Sequence, residues 1–302
     1  MNWIKKILYA CAERWFMNGC TNYNSLTVRR SCRSKKQARE VFARHGIPHA
    51  QGQVFINPLR AFRFARDQGF PLVIKPNVGG FSRGSHFPVT SFWQLCKAVF
   101  LVKLWWPVSV VERYLKGHNY RVLVANGDVV SVLHRHPPQV TGNGRDSISQ
   151  LIDQENDIRR QKGLFPFMSP LKKNYATRRF LARFHQTLET VLAEGEVALL
   201  SHRIALKPGG TVQTVPLEQM ADDTRALMNE ILTLFKANIL GIDIIMEKGI
   251  EHSYKDQNCI LLEVNSRPYI KMHYYPRYGE KQDLSKCLQK LDNLELTHAD
   301  TF

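Results

Sequence analysis

Apolar and polar residues follow two different periods along the chain, and these periods alternate. Apolar positions three and four residues apart predict amphipathic helices at 34–44, 58–68, 91–104, 178–193 and 222–237, and another that begins near Ser147. Short runs of β-branched and apolar residues predict buried strands at 70–76, 108–115, 239–246 and 259–265. Helices and strands are therefore interleaved along most of the chain.

An antiparallel hairpin is the clearest local prediction. The apolar runs 121–125 and 129–133 flank Asn126-Gly127, and Asn-Gly is the strongest short-range signal for a two-residue hairpin turn. Strands mixed with helices, together with this antiparallel pair, favour an α+β (mixed α/β) fold over a doubly wound parallel sheet.

The composition limits the class of protein that the chain can be but does not identify its function. The chain has 302 residues, of which 44% are hydrophobic, so it is long enough for roughly two domains and too apolar to be disordered. Lysine and arginine number 42 against 26 acidic residues, which gives a net charge of +16. Such a charge attracts nucleotides, nucleic acid, acidic lipids and acidic substrates alike.

The cysteines and the first residues bear on where the protein works. The six cysteines include no C-x-x-C pair, so free thiols and a cytoplasmic location are expected. The first 33 residues mix apolar side chains with Lys5, Lys6, Glu13 and Arg14, which argues against a transmembrane segment and a signal peptide. We expect an amphipathic helix over 3–17 that docks on the rest of the protein, and a membrane-surface helix is the alternative.

Three residues with oxygen-bearing side chains lie in the last two predicted strands. Glu263 and Asn265 are two residues apart, so both side chains point to one face of their strand. Asp243 stands among isoleucines, where a carboxylate is costly unless it is paired or metal-bound. Adjacent strands would bring the three together, and three hard oxygen ligands suit Mg²⁺. For each acid alone, a buried pair with backbone or arginine is the alternative.

A buried lysine precedes a glycine-rich loop. Lys75 lies in an apolar strand, where an ammonium group is unfavourable without a nearby anion. The loop's spacing is neither the P-loop pattern nor the dinucleotide-binding pattern. It nevertheless offers backbone N–H groups and two side-chain donors to a phosphate, at Gly79, Gly80, Ser82, Arg83 and Gly84.

In this order the motifs resemble those of ATP-grasp ligases, and most of all the ATP-grasp domain of cyanophycin synthetases and their glutathione-synthetase relatives. The resemblance covers roughly residues 34–283. It is carried by V-V-E-R-Y-L-K-G-H-N-Y-R-V-L-V-A-N-G-D-V-V at 110–130, R-H-P-P-Q-V-T-G-N-G-R-D-S-I-S-Q-L-I at 135–152 and E-N-D-I-R-R at 155–160. Further along, G-I-D-I-I, L-E-V-N-S-R-P and M-H-Y-Y-P-R-Y-G match in the same order.

The resemblance implies ATP and Mg²⁺ as cofactors, with two metal ions and Mn²⁺ as a substitute. Lys35 and Lys75 match the lysines that meet the ATP phosphates, and Arg121 matches an arginine of the phosphate and acyl-phosphate site. Arg121 and Lys75 would therefore be catalytic. The other matches are a phosphate lid at Gly79, Gly80, Ser82, Arg83 and Gly84, an adenine hinge at Glu112, Arg113, Tyr114 and Leu115, a ribose position at Asn119, and metal ligands at Asp243, Glu263 and Asn265.

Some matched positions carry no clear role or differ from the family pattern. Gly209 and Gly210 resemble a glycine pair of a substrate-side loop, and His273 matches a motif position whose role the resemblance does not assign. The sequence departs from the pattern with Ser82 for a glycine, Ser85 for an apolar residue, Asn119 for an acid and Tyr269 for a glycine.

The resemblance also implies a division of the chain and a partner. The expected parts are a helical appendage with a basic linker at 1–33, a small subdomain with the lid at 34–110, a large subdomain with the hinge and metal site at 111–290, and a tail at 291–302. The long domain that precedes the grasp in the family has no counterpart. We therefore expect either a homodimer or a protein that delivers the substrate.

The implied function is an ATP-dependent carboxylate–amine ligase that acts on an amino acid or a peptide. A carboxylate would take the γ-phosphate of ATP to give an acyl phosphate, and an amine would displace phosphate to form an amide. A kinase with an anionic acceptor is one alternative, and a non-catalytic basic module for nucleic acid is another. Core packing is the better explanation for the aromatic and basic residues at 62–64 and 105–106, so no nucleic-acid partner is expected.

Overall fold

The computed structural model describes residues 23–32, 35–77 and 84–292. No helix in these ranges is long and apolar enough to cross a membrane. Several predictions lie outside the described residues, namely the helix at 3–17, the lid residues Gly79, Gly80, Ser82 and Arg83, and the tail beyond residue 292.

The predicted fold class is confirmed, since helices alternate with antiparallel strands. The helices of the described ranges are α1 (Leu26–Ser31), α2 (Lys35–Arg44), α3 (Leu59–Gln68), α4 (Phe92–Lys103), α5 (Ile148–Gln161), α6 (Tyr175–Leu181), α7 (Asp222–Leu234), α8 (Lys271–Tyr274) and α9 (Ser285–Asp292). The strands are β1 (Gly52–Phe55), β2 (Leu72–Pro76), β3 (His86–Val89), β4 (Ser109–Arg113), β5 (His118–Ala125), β6 (Asp128–His136), β7 (Gln139–Thr141), β8 (Val197–Leu199), β9 (Thr211–Val215), β10 (Ile239–Met246) and β11 (Cys259–Asn265).

The smaller main sheet has four strands in the order β1-β4-β2-β3. Helices α3 and α4 cover one of its faces, where Ala61, Ala65, Leu95 and Val99 pack on strand residues such as Leu72. The predicted border between the subdomains, at residues 110 and 111, falls inside β4, and all of β4 pairs with β1 and β2 in this sheet.

The larger sheet has five antiparallel strands in the order β11-β10-β5-β6-β9. Helices α2 and α7 pack on one face of it and close the main hydrophobic core. Phe42 of α2 is fully buried there, and its ring meets the ring of Phe235 edge-on at 6.1 Å between centroids. The opposite face of this sheet carries smaller apolar clusters, which include Leu123, Ala125 and Leu133, beside its polar side chains.

A third unit joins α5 and α6 to the two-stranded sheet of β7 and β8. Helix α5 begins with a capping box, in which the Gln150 N–H donates to Ser147 Oγ and the Ser147 N–H donates to the Gln150 side chain. Ile148 and Ile152 of its apolar face are fully buried in a core shared with Leu181.

The prediction of one helix over 178–193 is wrong. Helix α6 covers Tyr175–Leu181, a short 3₁₀ turn follows at Ala182–Phe184, and the chain then leaves helical geometry at His185, whose φ is +56°. Leu188 is buried all the same, from a loop. The apolar spacing therefore correctly predicted that Leu188 is buried, but it predicted the wrong backbone conformation.

The turn between β5 and β6 gives a first stability prediction. Asn126 and Gly127 have φ values of +53° and +83°, the left-handed pair that a type I′ turn requires. Gly127→Val places a β-branched side chain in this region and should lower the free energy of unfolding by about 1–2 kcal/mol. Gly127→Asn, which tolerates left-handed backbone, should recover part of that loss. Urea unfolding of the three proteins checks this, and an unchanged midpoint for the valine variant would contradict it.

Candidate functional site

The side chains of β5 alternate between the two faces of the five-stranded sheet. Tyr120, Val122 and Val124 point into the core beneath α2 and α7. Asn119, Arg121 and Leu123 alternate with them along the strand and therefore point to the other face. We call this second surface, which Asn119, Arg121, Arg135, Asp243, Glu263 and Asn265 line, the polar face.

Asp243 lies at the centre of the polar face. It is buried in β10, directly opposite Arg121 of β5 on one side and Glu263 of β11 on the other. Arg121 Nε lies 2.6 Å from one carboxylate oxygen, and Arg135 Nη2 lies 2.9 Å from the second. Burial raises the pKa of Asp243, while the two guanidinium groups act in the opposite direction. The carboxylate is thus an anchor for two arginines.

Asn119 belongs to the same network. Its Oδ1 accepts a hydrogen bond of 2.6 Å from Arg135 Nε, so Asn119 and Asp243 together fix the Arg135 guanidinium. The match of Asn119 to the ribose position stays a prediction. In the structure Asn119 orients Arg135, an arginine that the sequence reasoning missed.

Glu263 and Asn265 complete the polar face on the edge strand β11. Asn265 Nδ2 donates to the Gly241 carbonyl at 3.3 Å and lies 3.5 Å from Glu263 Oε1. The predicted trio is therefore together on one face, and its oxygen donors fit Mg²⁺ in kind. The trio has two acids and one amide, and the described residues contain no cluster of three or more His, Cys, Asp or Glu suited to a metal.

Two β-bulges decide which side chains reach the polar face. The register of β10 with β11 shifts between Asp243 and Ile244, which places Glu263 opposite Asp243. The register of β5 with β6 shifts between Leu123 and Val124, which places Arg135 opposite Asn119. Without the added residue, Leu262 and His134 would take these positions, because a one-residue slip exchanges the two faces of a strand.

A second charged cluster lies on the small sheet. Lys75 of β2 forms an ion pair with Glu112 of β4, and Arg39 of α2 contacts the other oxygen of Glu112 at 3.0 Å. Glu112 is only 2% exposed, so this carboxylate supplies the anion that the buried lysine needs. The Glu112 side chain thus positions Lys75, which leaves only backbone groups of this residue for a nucleotide.

The predicted hinge continues the small sheet. The N–H groups of Arg113 and Tyr114 donate to the carbonyls of Gln51 and Pro71 at 2.9 and 3.0 Å. The next N–H group, that of Leu115, has no hydrogen-bond partner among the described residues. Leu115 is therefore the hinge residue whose N–H is available to a ligand.

The lid is described only at its end. Gly84 has φ +70°, and a Cβ atom on it would lie 2.3 Å from the Trp106 ring, so a larger residue does not fit there. Lys35 begins α2, but its side chain is outside the described part of the structure.

A buried ion network fixes the glycine loop at 209–210, and the sequence reasoning did not find it. Arg159 is fully buried and donates to the carbonyl of Gly209 at 3.0 Å and to Glu155 at 2.8 Å. Arg277 donates to the same carboxylate at 2.7 Å. The E-N-D-I-R spacing, with acid and arginine four residues apart on one helix face, was the available signal.

His273 predicts how stability depends on pH. Its Nδ1 lies 2.7 Å from Ser131 Oγ, and burial, with the nearby Arg121 charge, lowers its pKa to about 3. Histidine in an unfolded chain has a pKa near 6.5, so below that pH protons bind the unfolded state preferentially. The free energy of unfolding should be fully maintained above pH 6.5 and fall by up to about 1.4 kcal/mol per pH unit below it. Urea titrations between pH 4.5 and 7.5 should show a shallower slope for His273→Gln, and equal slopes would contradict this.

The chain is similar to known proteins in both sequence and fold. No family model matches the chain. The cyanophycin synthetase of Trichormus variabilis is 30% identical over 270 residues, which make up 88% of this chain and 29% of that protein. The chain thus spans less than a third of the length of the cyanophycin synthetases that it matches.

Two solved structures share the fold. A bifunctional glutathione synthetase from Pasteurella multocida superposes with a TM-score of 0.64 at 20% identity, over 89% of this chain and 38% of that one. The ATP-grasp ligase PsnB, complexed with a phosphomimetic precursor variant, Mg and ADP, gives a TM-score of 0.53 at 14% identity, over 95% and 67% of the two chains. This chain therefore has the ATP-grasp fold and is similar, over most of its length, to cyanophycin synthetase.

Proposed function

We propose that the chain is an ATP-dependent carboxylate–amine ligase that forms an amide or peptide bond through an acyl phosphate. The observation that carries the proposal is that the buried Asp243 lies opposite Glu263 on the polar face, with Arg121 and Asn265 beside them. The similarity to cyanophycin synthetase supports C–N bond formation as the reaction class. Amino acids or short peptides are the substrates we propose.

The polar face has the donors for Mg²⁺. Glu263 and Asn265 offer oxygen atoms, and Asp243 would be the third ligand. Both oxygens of Asp243 contact guanidinium groups, so ligation by Asp243 requires one arginine to exchange this carboxylate for another anion, such as an ATP phosphate. Bound Mg²⁺, as two ions and with Mn²⁺ as a substitute, would neutralise the phosphate oxygens that the attacking carboxylate approaches.

The cationic side chains would reduce the repulsion between two anions. The substrate carboxylate and the γ-phosphate must meet, and Lys75, Arg121 and Arg135 are fixed in place by Glu112 and Asp243 before any ligand binds. Such preorganised charges stabilise the transition state without reorganisation. In this proposal the lid between residues 77 and 84 excludes water, which would otherwise hydrolyse the acyl phosphate.

The nucleotide would lie along the hinge. Glu112, Arg113, Tyr114 and Leu115 would meet the adenine through backbone groups, with the N–H of Leu115 as donor, and Lys35 would meet the phosphates with Lys75. We further propose that the protein works in the cytoplasm, in keeping with the four described cysteines, which are free. We also propose a homodimer, or a protein that delivers the substrate, as the partner.

The test is ADP release from ATP and Mg²⁺, screened against amino acids and dipeptides, with product mass by mass spectrometry. A ligase gives a product whose mass shows loss of water between carboxylate and amine. Hydroxylamine added in place of the amine should trap the acyl phosphate as a hydroxamate. A stable phosphorylated acceptor without an amine-dependent product would establish a kinase instead and contradict the proposal.

A further inference from the structure

The small subdomain exposes an unusual amount of apolar surface. Nine of the fourteen large apolar residues exposed in the described part lie between residues 56 and 108. On the outer side of α4, Trp93 is 80% exposed, Phe100 64% and Leu104 56%, and Trp105 just beyond the helix is 76% exposed. The core packing expected for residues 105–106 therefore holds for Trp106, which packs on the core of the four-stranded sheet, and is wrong for Trp105. Soluble proteins rarely present such contiguous aromatic surface unless it meets a partner or a membrane.

Arginines lie on the same side of the molecule. Helices α3 and α4 pack on one face of the small sheet, and the rings of Phe62 and Phe92 join them at 5.5 Å between centroids. Their outer faces therefore point in a common direction. On α3 that outer face carries Arg60, Arg63 and Arg66, all of which are exposed, and Arg66 pairs with the exposed Asp67 at 2.9 Å.

A cationic cleft borders this surface. A cavity of about 270 Å³ lies between α4 and α6 and is lined by Lys97, Tyr175, Arg179, Phe180 and Arg183. Lys97, Arg179 and Arg183 form no ion pair within the part of the chain that the structure describes. The outer faces of α3 and α4, with Trp105 and this cleft, are called the basic aromatic surface below.

The charge of this region is one-sided. The stretch 68–111 contains no Asp or Glu, and residues 35–113 hold twelve lysines and arginines against three acids. A quarter of the chain thus carries more than half of its net positive charge. An acidic occupant is therefore favoured over a second copy of the chain, because two copies would bring like charges together.

We propose that the basic aromatic surface binds an anionic phospholipid membrane as a peripheral site. Tryptophan favours the boundary between headgroups and acyl chains, where Trp93 and Trp105 would insert with Phe100 and Leu104. The arginines of α3 and the cations of the α4–α6 cleft would meet the lipid phosphates, and each basic group near such a surface strengthens binding about fivefold. The site is independent of the polar face and of its chemistry.

The experiment is sedimentation of the full chain with vesicles. Vesicles of phosphatidylcholine with about 30% phosphatidylserine should retain the protein, and vesicles of phosphatidylcholine alone should retain little of it. The double variant W93S/W105S should bind the anionic vesicles roughly hundredfold more weakly. R63E should bind them about twentyfold more weakly, since it removes one positive charge and adds a negative one.

Matched controls separate this surface from general charge and hydrophobicity. Val191→Ser removes an exposed apolar residue in the loop before β8, and Lys290→Glu reverses an exposed charge on α9. Both should bind vesicles like the wild type, and thermal melts should show all variants folded. Undiminished vesicle binding by W93S/W105S would overturn the proposal. So would a dimer in light scattering that only this variant loses, or oligonucleotide binding without vesicle binding.

Discussion

Lys75→Met should lower kcat/KM for ATP-dependent ADP release by about 1000-fold or more. Methionine keeps the length and the apolar stem of lysine but removes the ammonium group that Glu112 fixes on the four-stranded sheet. The loss should appear mainly in kcat if Lys75 acts on the γ-phosphate during transfer. Initial rates over a range of ATP concentrations provide the measurement.

The same substitution has a cost in stability that serves as an internal check. Among the described residues Glu112 would keep only Arg39 as an ion-pair partner, so the free energy of unfolding should fall by about 1–3 kcal/mol. Assays well below the melting temperature keep the two effects apart. Lys290→Met, on the surface of α9, is the matched control and should keep both activity and stability. Wild-type kcat/KM in a folded Lys75→Met protein would remove Lys75 from the site.

Glu263→Gln should lower turnover by about 100- to 1000-fold. The amide retains the shape of the side chain and one oxygen but loses the charge that would hold Mg²⁺ beside Asn265. We therefore expect part of the activity to return at high Mg²⁺ or Mn²⁺, which distinguishes a metal ligand from a structural residue. The measurement is ADP release as a function of metal concentration.

Two controls sharpen the Glu263 experiment. Asn265→Ala should show the same dependence on metal concentration, because it removes the neighbouring oxygen donor. Glu189→Gln changes an exposed acid in the loop after α6 and should leave the metal dependence unchanged. A metal requirement that is identical in wild type and Glu263→Gln would exclude Glu263 as a ligand.

Local pattern was sufficient for the elements that position the site. The strands Ile239–Met246 and Cys259–Asn265 occur with the bounds that their apolar runs predicted, and the Asn126-Gly127 turn joins β5 and β6 as expected. Each of these signals is contained within a few residues. The spacing of Glu263 and Asn265 likewise placed both on one face without knowledge of the fold.

Other contacts of the candidate site depend on tertiary structure that local sequence patterns do not contain. A bulge is one extra residue in a strand, and nothing in the hydrophobic pattern of β6 shows that Arg135 rather than His134 shares a face with Asn119. The anion beside Lys75 comes from Glu112, on a strand that is adjacent in the sheet but distant in sequence. The sequence shows that a buried lysine needs an anionic partner, but only the order of the strands in the sheet identifies Glu112 as that partner.

Helix α2 makes the two main sheets interdependent. Its Phe42 fills the core under the five-stranded sheet, while its Arg39 reaches Glu112 of the four-stranded sheet. Loss of this helix would open the core under the five-stranded sheet and would leave Glu112 of the four-stranded sheet without Arg39. A proteolytic fragment that starts at Gly46 would lose both contacts at once. Limited digestion within α2 should therefore give a fragment that aggregates, not a shortened protein that remains active.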